Sequence, residues 1–270
     1  MIKEIQKENF EYINEIYTRK FDFKKQDVEF KMRKEIAQMF FDNYLDEISK
    51  FHSIEVMDRE VKKFVNQLKE DSIILDLGCG WCWHWRDLEK YRPDIRIVAL
   101  DFVNENFFHA KKILSTETKK QIYFVNDDMH KLNFKDNTFD AIWTVQVLQH
   151  IQQISQVLRE SVRVLKKNCW IYNYHLNNSI FVILKDLFSK KKNIKNYYYL
   201  NRNIGSIEKI FFNIFRNKII KEYNEIIFHP ELNLYLGKKN SFLSILDSKM
   251  SSSNFLGSLL SRQVLIKTKK

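Results

Sequence analysis

Three carboxylates and a pair of glycines are the residues in this chain whose types and spacing point most directly to chemistry. Asp76, Gly78 and Gly80 close the run Ile73-Ile74-Leu75-Asp76-Leu77-Gly78-Cys79-Gly80, an apolar strand that breaks into a tight turn. Glycine at such a turn lets a ligand approach bare backbone. Only five glycines occur in 270 residues, so two of them spaced two apart directly after a strand mark a site. Asp101 ends a second apolar run about 20 residues further on, the offset at which α/β nucleotide sites place a carboxylate to accept both ribose hydroxyls. Asp128 follows a third such run. The turn, Asp101 and Asp128 are all strand-end positions, where α/β sheets bind ligands.

Cys79-Gly80-Trp81-Cys82 is also a Cys-x-x-Cys, which in another setting is a redox pair or half a zinc site. No second cysteine pair follows to complete a zinc site, so no metal is expected. A thioredoxin-like redox layout lacks the Asp101 and Asp128 pattern. A nicotinamide reading of Gly78-x-Gly80 puts Trp83 where its third glycine belongs, too bulky for close helix and strand packing.

The elements that must position these residues alternate. Met57, Val61, Phe64, Val65 and Leu68 fall at helical spacing before the first strand. After the turn, the pattern gives a helix over 85–91, a strand over 95–100, a helix over 104–113 and a strand over 121–125. A strand over 139–144, a helix over 154–165 and a strand over 170–174 complete the series. Strands alternating with helices imply an α/β fold with a doubly wound, mostly parallel sheet, whose ligands sit at the carboxyl ends of the strands. Residues 1–72 contain no Gly or Pro and read as helical throughout, so residues 1–54 are expected to be a helical N-terminal extension. Tyr12, Tyr17, Phe21 and Phe23 in it are lid candidates, although plain packing is the commoner role of such aromatics. The binding domain is expected over 55–270. Within it, Ser206 is placed as the cap of a helix carrying Ile207, Ile210, Phe211, Ile214 and Phe215 on one face. Strands are expected over 219–228 and 262–267, and residues 229–261, with Ser251, Ser252, Ser253 and Gly257, form an insertion read as mobile.

Composition bounds the partners. A hydrophobic content of 44% with 14% aromatics excludes global disorder. The net charge of +11 suggests an anionic partner or, equally, a general lysine-rich, glycine- and proline-poor composition, and Lys190, Lys191, Lys192 and Lys195 beside Tyr197, Tyr198 and Tyr199 form a cluster able to touch nucleic acid or a phosphorylated substrate. A solvated loop is the commoner reading of that cluster. Three cysteines, an odd number, indicate a reducing compartment without a disulfide framework. The charged N-terminus is not a signal peptide and no apolar run reaches membrane-spanning length, so a cytoplasmic protein is expected.

Taken in order, the run 74–80, Asp101, the stretch 127–134 (Asp-Asp-Met-His-Lys-Leu-Asn-Phe), Phe139-Asp140-Ala141-Ile142, Val147-Leu148-Gln149-His150-Ile151 and Arg163-Val164-Leu165-Lys166 resemble the class I S-adenosylmethionine-dependent methyltransferases. The small-molecule, type 11 group is the most similar, over roughly residues 55–176. The resemblance implies a Rossmann-like class I methyltransferase fold with S-adenosylmethionine as cofactor. It implies that the turn Asp76, Gly78, Cys79 and Gly80 wraps the methionine part, that Asp101 accepts the ribose hydroxyls and that Phe102 lies against the adenine. Asp128 with the Met129 backbone would read the adenine edge, and Thr144 and Val145 would line the sulfonium side. In-line placement of an acceptor about 3 Å from an electrophilic methyl supplies most of such a rate. A base is needed only for a hydroxyl or protonated amine acceptor. His150 is the candidate in sequence, and a helix-positioning role is the favoured reading of it.

The chain departs from the family where Cys82 replaces a usual third glycine, where Trp81, Trp83 and Trp85 crowd the turn, and where Asn126-Asp127-Asp128 replaces a more typical Gly-Asp. Lys167-Asn168-Cys169 stands for the usual Pro-Gly-Gly turn. The favoured function is methyl transfer to a small-molecule, sugar or lipid-precursor acceptor, with the basic C-terminal part holding an anionic one. The alternatives are an RNA methyltransferase, which is not favoured because no RNA-binding module is visible, and a non-catalytic cofactor-binding scaffold in which Cys82 and the tryptophans close the site.

Overall fold

A computed structural model describes residues 1–20, 27–39, 52–181, 183–184, 204–226 and 241–270. Nine strands are described: β1 (Glu11–Ile13), β2 (Ile16–Thr18), β3 (Ile73–Leu77), β4 (Arg96–Asp101), β5 (Ile122–Asn126), β6 (Phe139–Val145), β7 (Leu165–Leu176), β8 (Ile220–Asn224) and β9 (Gln263–Lys269). They form one sheet in the order β1-β2-β5-β4-β3-β6-β7-β9-β8. From β2 to β7 every neighbouring pair is parallel, while β1, β9 and β8 pair antiparallel at the two ends. The expected doubly wound, mostly parallel sheet is the observed one, and the chain reverses its winding between β3 and β6.

Helices cover both faces, which is why the central strands read as continuous apolar runs. The helices are α1 (Ile2–Ile5), α2 (Asp27–Met39), α3 (His52–Val65), α4 (Leu88–Tyr91), α5 (Glu105–Ile113), α6 (Thr116–Gln121), α7 (Ile154–Val164), α8 (Ile204–Phe215), α9 (Ser241–Ser251) and α10 (Asn254–Leu260). One core layer joins Leu75, Leu77, Val98 and Ile142 to Val157, Leu158, Ile207 and Phe211 of α7 and α8. The other joins Ile74, Ile97, Ala141 and Trp143 to Met57, Val61, Phe64 and Val65 of α3. Period-two alternation along each strand thus feeds two separate cores.

Several sequence expectations are corrected. The N-terminal extension is not helical throughout: residues 11–18 form a hairpin that joins the sheet, with Ile16, Tyr17 and Thr18 of β2 opposite Phe124, Val125 and Asn126 of β5. Its two-residue connection, Asn14 and Glu15, is left-handed at both positions, the backbone that a tight hairpin requires. Tyr12 and Tyr17 meet at a tilt with centroids 4.6 Å apart at this sheet edge, and Tyr17 meets Phe10 edge-on, so these two rings pack on the hairpin and its neighbours. Phe21 and Phe23 lie outside the described residues. The helix expected over 85–91 divides into a 3-10 turn at Trp83–Trp85 and the short α4. Lys167, Asn168 and Cys169 lie inside the long β7, with Asn168 left-handed, where the pairing with β6 shifts register.

Ser206 lies inside α8, two residues past its start, rather than at the cap position expected of it. In the insertion, Ser253 Oγ accepts the Leu256 amide at the start of α10, Ser252 Oγ donates to the Lys249 carbonyl, and a Cβ on Gly257 would stand 2.7 Å from Tyr223. Ser252 and Ser253 therefore finish and cap helices, and Gly257 seats one. The lysine and tyrosine cluster over 190–199 and residues 229–240 lie outside the described residues.

Candidate functional site

The reversal between β3 and β6 opens a crevice at the carboxyl ends of the strands, and the glycine turn sits at its edge. The amides of Gly78 and Cys79 both donate to the Leu100 carbonyl, at 2.8 and 3.1 Å, which folds the turn down onto β4. Gly78 (φ +73°) and Gly80 (φ +52°) adopt the left-handed backbone that favours glycine. They differ in surroundings. A Cβ on Gly78 would lie 2.5 Å from Val147 Cγ2, whereas one on Gly80 would meet no atom within 4 Å. The first glycine permits packing, and the second faces open space.

Asp101 closes the arrangement. Its Oδ2 accepts the Gly80 amide at 2.9 Å and its Oδ1 accepts the Val103 amide at 2.8 Å. It is 4% exposed, and burial raises its pKa against the pull of those two amides. Asp76, 2% exposed near the end of β3, accepts the Trp85 indole N–H at 2.7 Å. Burial pushes its pKa up to about 7, the Trp85 hydrogen bond opposes that shift, and the Asp101 charge adds to it. The indole of Trp81 donates to Asn106 Oδ1 on α5 at 2.9 Å. Trp81 and Trp85 thus hold the turn and its neighbours.

Cys82 does not intrude on the crevice. It is wholly buried in the core on the α3 side, left-handed at φ 55°, with its amide donating to the Cys79 carbonyl at 2.9 Å. A side chain where the family has glycine is accommodated by turning inward. The Cys79 thiol donates to the Gly80 carbonyl at 3.6 Å, and burial raises the pKa of both thiols. Among the described residues, no group of three or more His, Cys, Asp or Glu is placed to hold a metal ion.

Asp128 follows β5. Its Oδ1 accepts both the His130 amide, at 2.9 Å, and His130 Nδ1, at 2.6 Å. Burial pulls its pKa upward, but the His130 contacts outweigh that and hold it below the usual carboxylate value. Met129 turns its side chain into the core. Asp127 and Asn126 tie this strand end to β4 through the Asp101 carbonyl, at 3.4 and 3.0 Å. The positions of Asp101 and Asp128 are thereby coupled through adjacent backbone.

Phe102 lies under Phe30 of α2, with ring centroids 5.7 Å apart. Helix α2 also brings Lys34 to Glu105 at 3.0 Å and the Arg33 guanidinium to His150 Nε2 at 2.9 Å. A guanidinium can only donate, so His150 Nε2 accepts and the imidazole proton resides on Nδ1. Sequence reasoning did not single out Arg33. Its only sequence signal is a basic residue within a helical pattern.

Thr144, at the end of β6, is wholly buried and its Oγ1 has no hydrogen-bond partner. Its register partner on β7, Asn173, is equally buried with both amide atoms unpartnered. Orphaned polar groups at this depth are uncommon and call for a partner that the protein does not supply. Val145, half-buried, packs against the core on the α3 side. The structure thus gathers Asp76, Gly78, Cys79, Gly80, Asp101 and Phe102 around one turn. Asp128 and Met129 stand at one side of them, and Thr144 and His150 at the other.

Residues 75–173 match the family described as a methyltransferase domain. The sterol 24-C-methyltransferase of Aspergillus fumigatus is 30% identical over 100 residues, covering 37% of this chain and 26% of that enzyme. The malonyl-[acyl-carrier protein] O-methyltransferase of Buchnera aphidicola is 33% identical over 96 residues, covering 34% and 35%. Among solved structures, a SAM-dependent methyltransferase from Archaeoglobus fulgidus superposes with a TM-score of 0.57 at 15% identity, over 85% of this chain and 100% of that one. The matched segment spans between about a quarter and about half of the first curated relatives, so the likeness is to their shared domain.

Proposed function

We propose that the chain carries a class I S-adenosylmethionine-dependent methyltransferase domain, a reading supported by the family match over residues 75–173, and that it transfers the methyl of S-adenosylmethionine to a small-molecule acceptor. The observation that carries the reading is the Gly80 turn: its amide is held by Asp101 at 2.9 Å while its open side meets no protein atom. The residues fit the cofactor. Asp101 has acceptor capacity left for ribose hydroxyls beyond its bonds to the Gly80 and Val103 amides and the Asn106 side chain, Phe102 offers a ring face, and Asp128 offers a carboxylate below its usual pKa to an exocyclic amine. Thr144 Oγ1 and the Asn173 amide provide unmet polar groups, side by side on β6 and β7. When bound, S-adenosylmethionine supplies an electrophilic methyl, so the protein's part is to hold, orient and exclude water.

His150 acts in this proposal as a positioning group, because Arg33 already engages the lone pair a base would use. The favoured acceptors are a sugar, a lipid precursor or another small molecule, with an anionic one supported by the net charge of +11. A reducing, cytoplasmic setting belongs to the same proposal, supported by three free thiols. Among the described residues, no helix is long and apolar enough to cross a membrane. The scaffold alternative loses its main argument, since Cys82 is directed into the core. Isothermal titration with S-adenosylmethionine and S-adenosylhomocysteine tests the reading: micromolar binding is expected, and no binding by wild type refutes it. Acceptor screening with labelled cofactor then separates small molecules from RNA.

A further inference from the structure

The loop over 127–131 is bracketed from outside the domain core by one side chain. Arg19, just beyond β2, places Nε and Nη2 on Asp127 Oδ1 at 3.0 and 2.8 Å, and the same Nη2 donates to the Lys131 carbonyl at 2.6 Å. One guanidinium therefore grips the first and last residues of a five-residue loop. Its own amide donates to the Asn126 carbonyl at 3.3 Å, which fixes the arginine in register with β5. Asp127 Oδ1 in turn accepts the Asp128 amide at 2.8 Å. Arg19 is thus one atom removed from the backbone of Asp128.

The carboxylate it holds is wholly buried, and the Arg19 side chain is 16% exposed. Burial raises the Asp127 pKa, with the Arg19 charge and hydrogen bonds opposing it. A buried carboxylate deprived of its guanidinium must find another partner or move toward water. Here the movement would carry the Asp128 amide with it, because both share Oδ1. Glu8, 3.9 Å from Arg19 Nη1, is 70% exposed and offers the arginine only a weak second partner.

We propose that Arg19 is a positioning residue that sets the Asp128 carboxylate for recognition of the adenine amino group, so that the N-terminal hairpin governs base discrimination at the cofactor site. This rests on the cofactor reading above. It extends that reading to a residue outside the matched domain and to Asp127, which stands where the family more typically has glycine.

The test compares S-adenosylhomocysteine with S-inosylhomocysteine, which carries an oxygen in place of the exocyclic amine, by calorimetric titration of the full chain. A charge-assisted hydrogen bond from that amine predicts a wild-type preference for the adenine form of about tenfold or more. Arg19→Ala should bring the ratio of the two affinities to within about threefold of unity by releasing that contact, and Arg19→Lys should lie between, since a point charge cannot grip both loop ends. A merely structural role would weaken both ligands equally and leave their ratio alone. Arg19→Ala or, should that variant not fold, Arg19→Lys with the wild-type ratio overturns the proposal while the cofactor reading stands. Wild type binding both ligands equally overturns the role of Asp128 and this proposal with it, and wild type binding neither overturns the cofactor reading itself.

Discussion

Trp85 donates its indole N–H to Asp76 Oδ2 at 2.7 Å, the indole fully buried and the carboxyl 2% exposed. This one hydrogen bond does not offset the cost of burying a charge, and Asp76 titrates at about 7. The sign for stability follows from linkage. A carboxyl whose pKa is raised by folding contributes fully below its unfolded value, near 3.8, and loses that contribution as pH rises to about 7. Asp76→Asn should therefore gain thermal stability relative to wild type across that window, measured by unfolding scans at stepped pH. Cofactor binding runs the other way. A cationic ligand favours the ionised carboxylate, so S-adenosylmethionine affinity should rise through neutral pH, by up to about tenfold per pH unit below the pKa, and Asp76→Asn should lack that slope.

The two glycines of the turn should separate folding from binding. At Gly78 an added Cβ meets Val147 at 2.5 Å in a left-handed backbone, so Gly78→Ala should cost about 2–4 kcal/mol in denaturant unfolding from overpacking and strain together. Gly80→Ala meets only open space. It should cost about 1–2 kcal/mol from backbone strain alone, yet weaken S-adenosylhomocysteine by more than its stability loss suggests. Equal affinity in Gly80→Ala and wild type would place the ligand elsewhere.

Asp101→Asn keeps an oxygen for one of the two amides now bound by the carboxylate and opposes the other with an NH2 donor, so the fold should persist at a cost of about 1–3 kcal/mol in unfolding. Losing charge-assisted bonds to ribose hydroxyls should lower cofactor affinity about tenfold to a hundredfold. Calorimetric titration decides, and unchanged affinity would remove Asp101 from the site.

His150, held by Arg33 at Nε2, should behave as a positioning residue once an acceptor is in hand. His150→Asn is expected to lower kcat by less than about tenfold and leave the pH profile in place, whereas loss of a general base costs about a hundredfold or more. A hundredfold loss with an altered pH profile would assign it as the base.

The parts of the site that were legible in the sequence are those written in single elements. Ile73 to Gly80 declares a buried strand and a turn, and Asp101 and Asp128 declare themselves by ending apolar runs. The hairpin over 11–18 was missed because Glu15 occupies a left-handed position where glycine or asparagine would have announced the turn, although the β-branched and aromatic residues on both sides were visible. The inward turn of Cys82 was not legible, because a left-handed cysteine has no sequence mark. Nor were Arg19 with Asp127 or Arg33 with His150, each pair joining residues more than a hundred positions apart, where only the fold brings them together. The same holds for Thr144 and Asn173, whose unmet hydrogen bonds exist only because two strands lie side by side.

The parallel pairing of β2 with β5 also bears on how the chain is made. Arg19 is synthesised 108 residues before Asp127, so the hairpin leaves the ribosome long before its partner strand exists. It must wait as a short, solvated segment until β5 has been made, and closing so long a loop is slow. Until the hairpin docks, β5 presents an unprotected edge, the feature that invites pairing with other chains. A chain lacking its first 20 residues would keep that edge open for life, and its expected fate is association with its own copies.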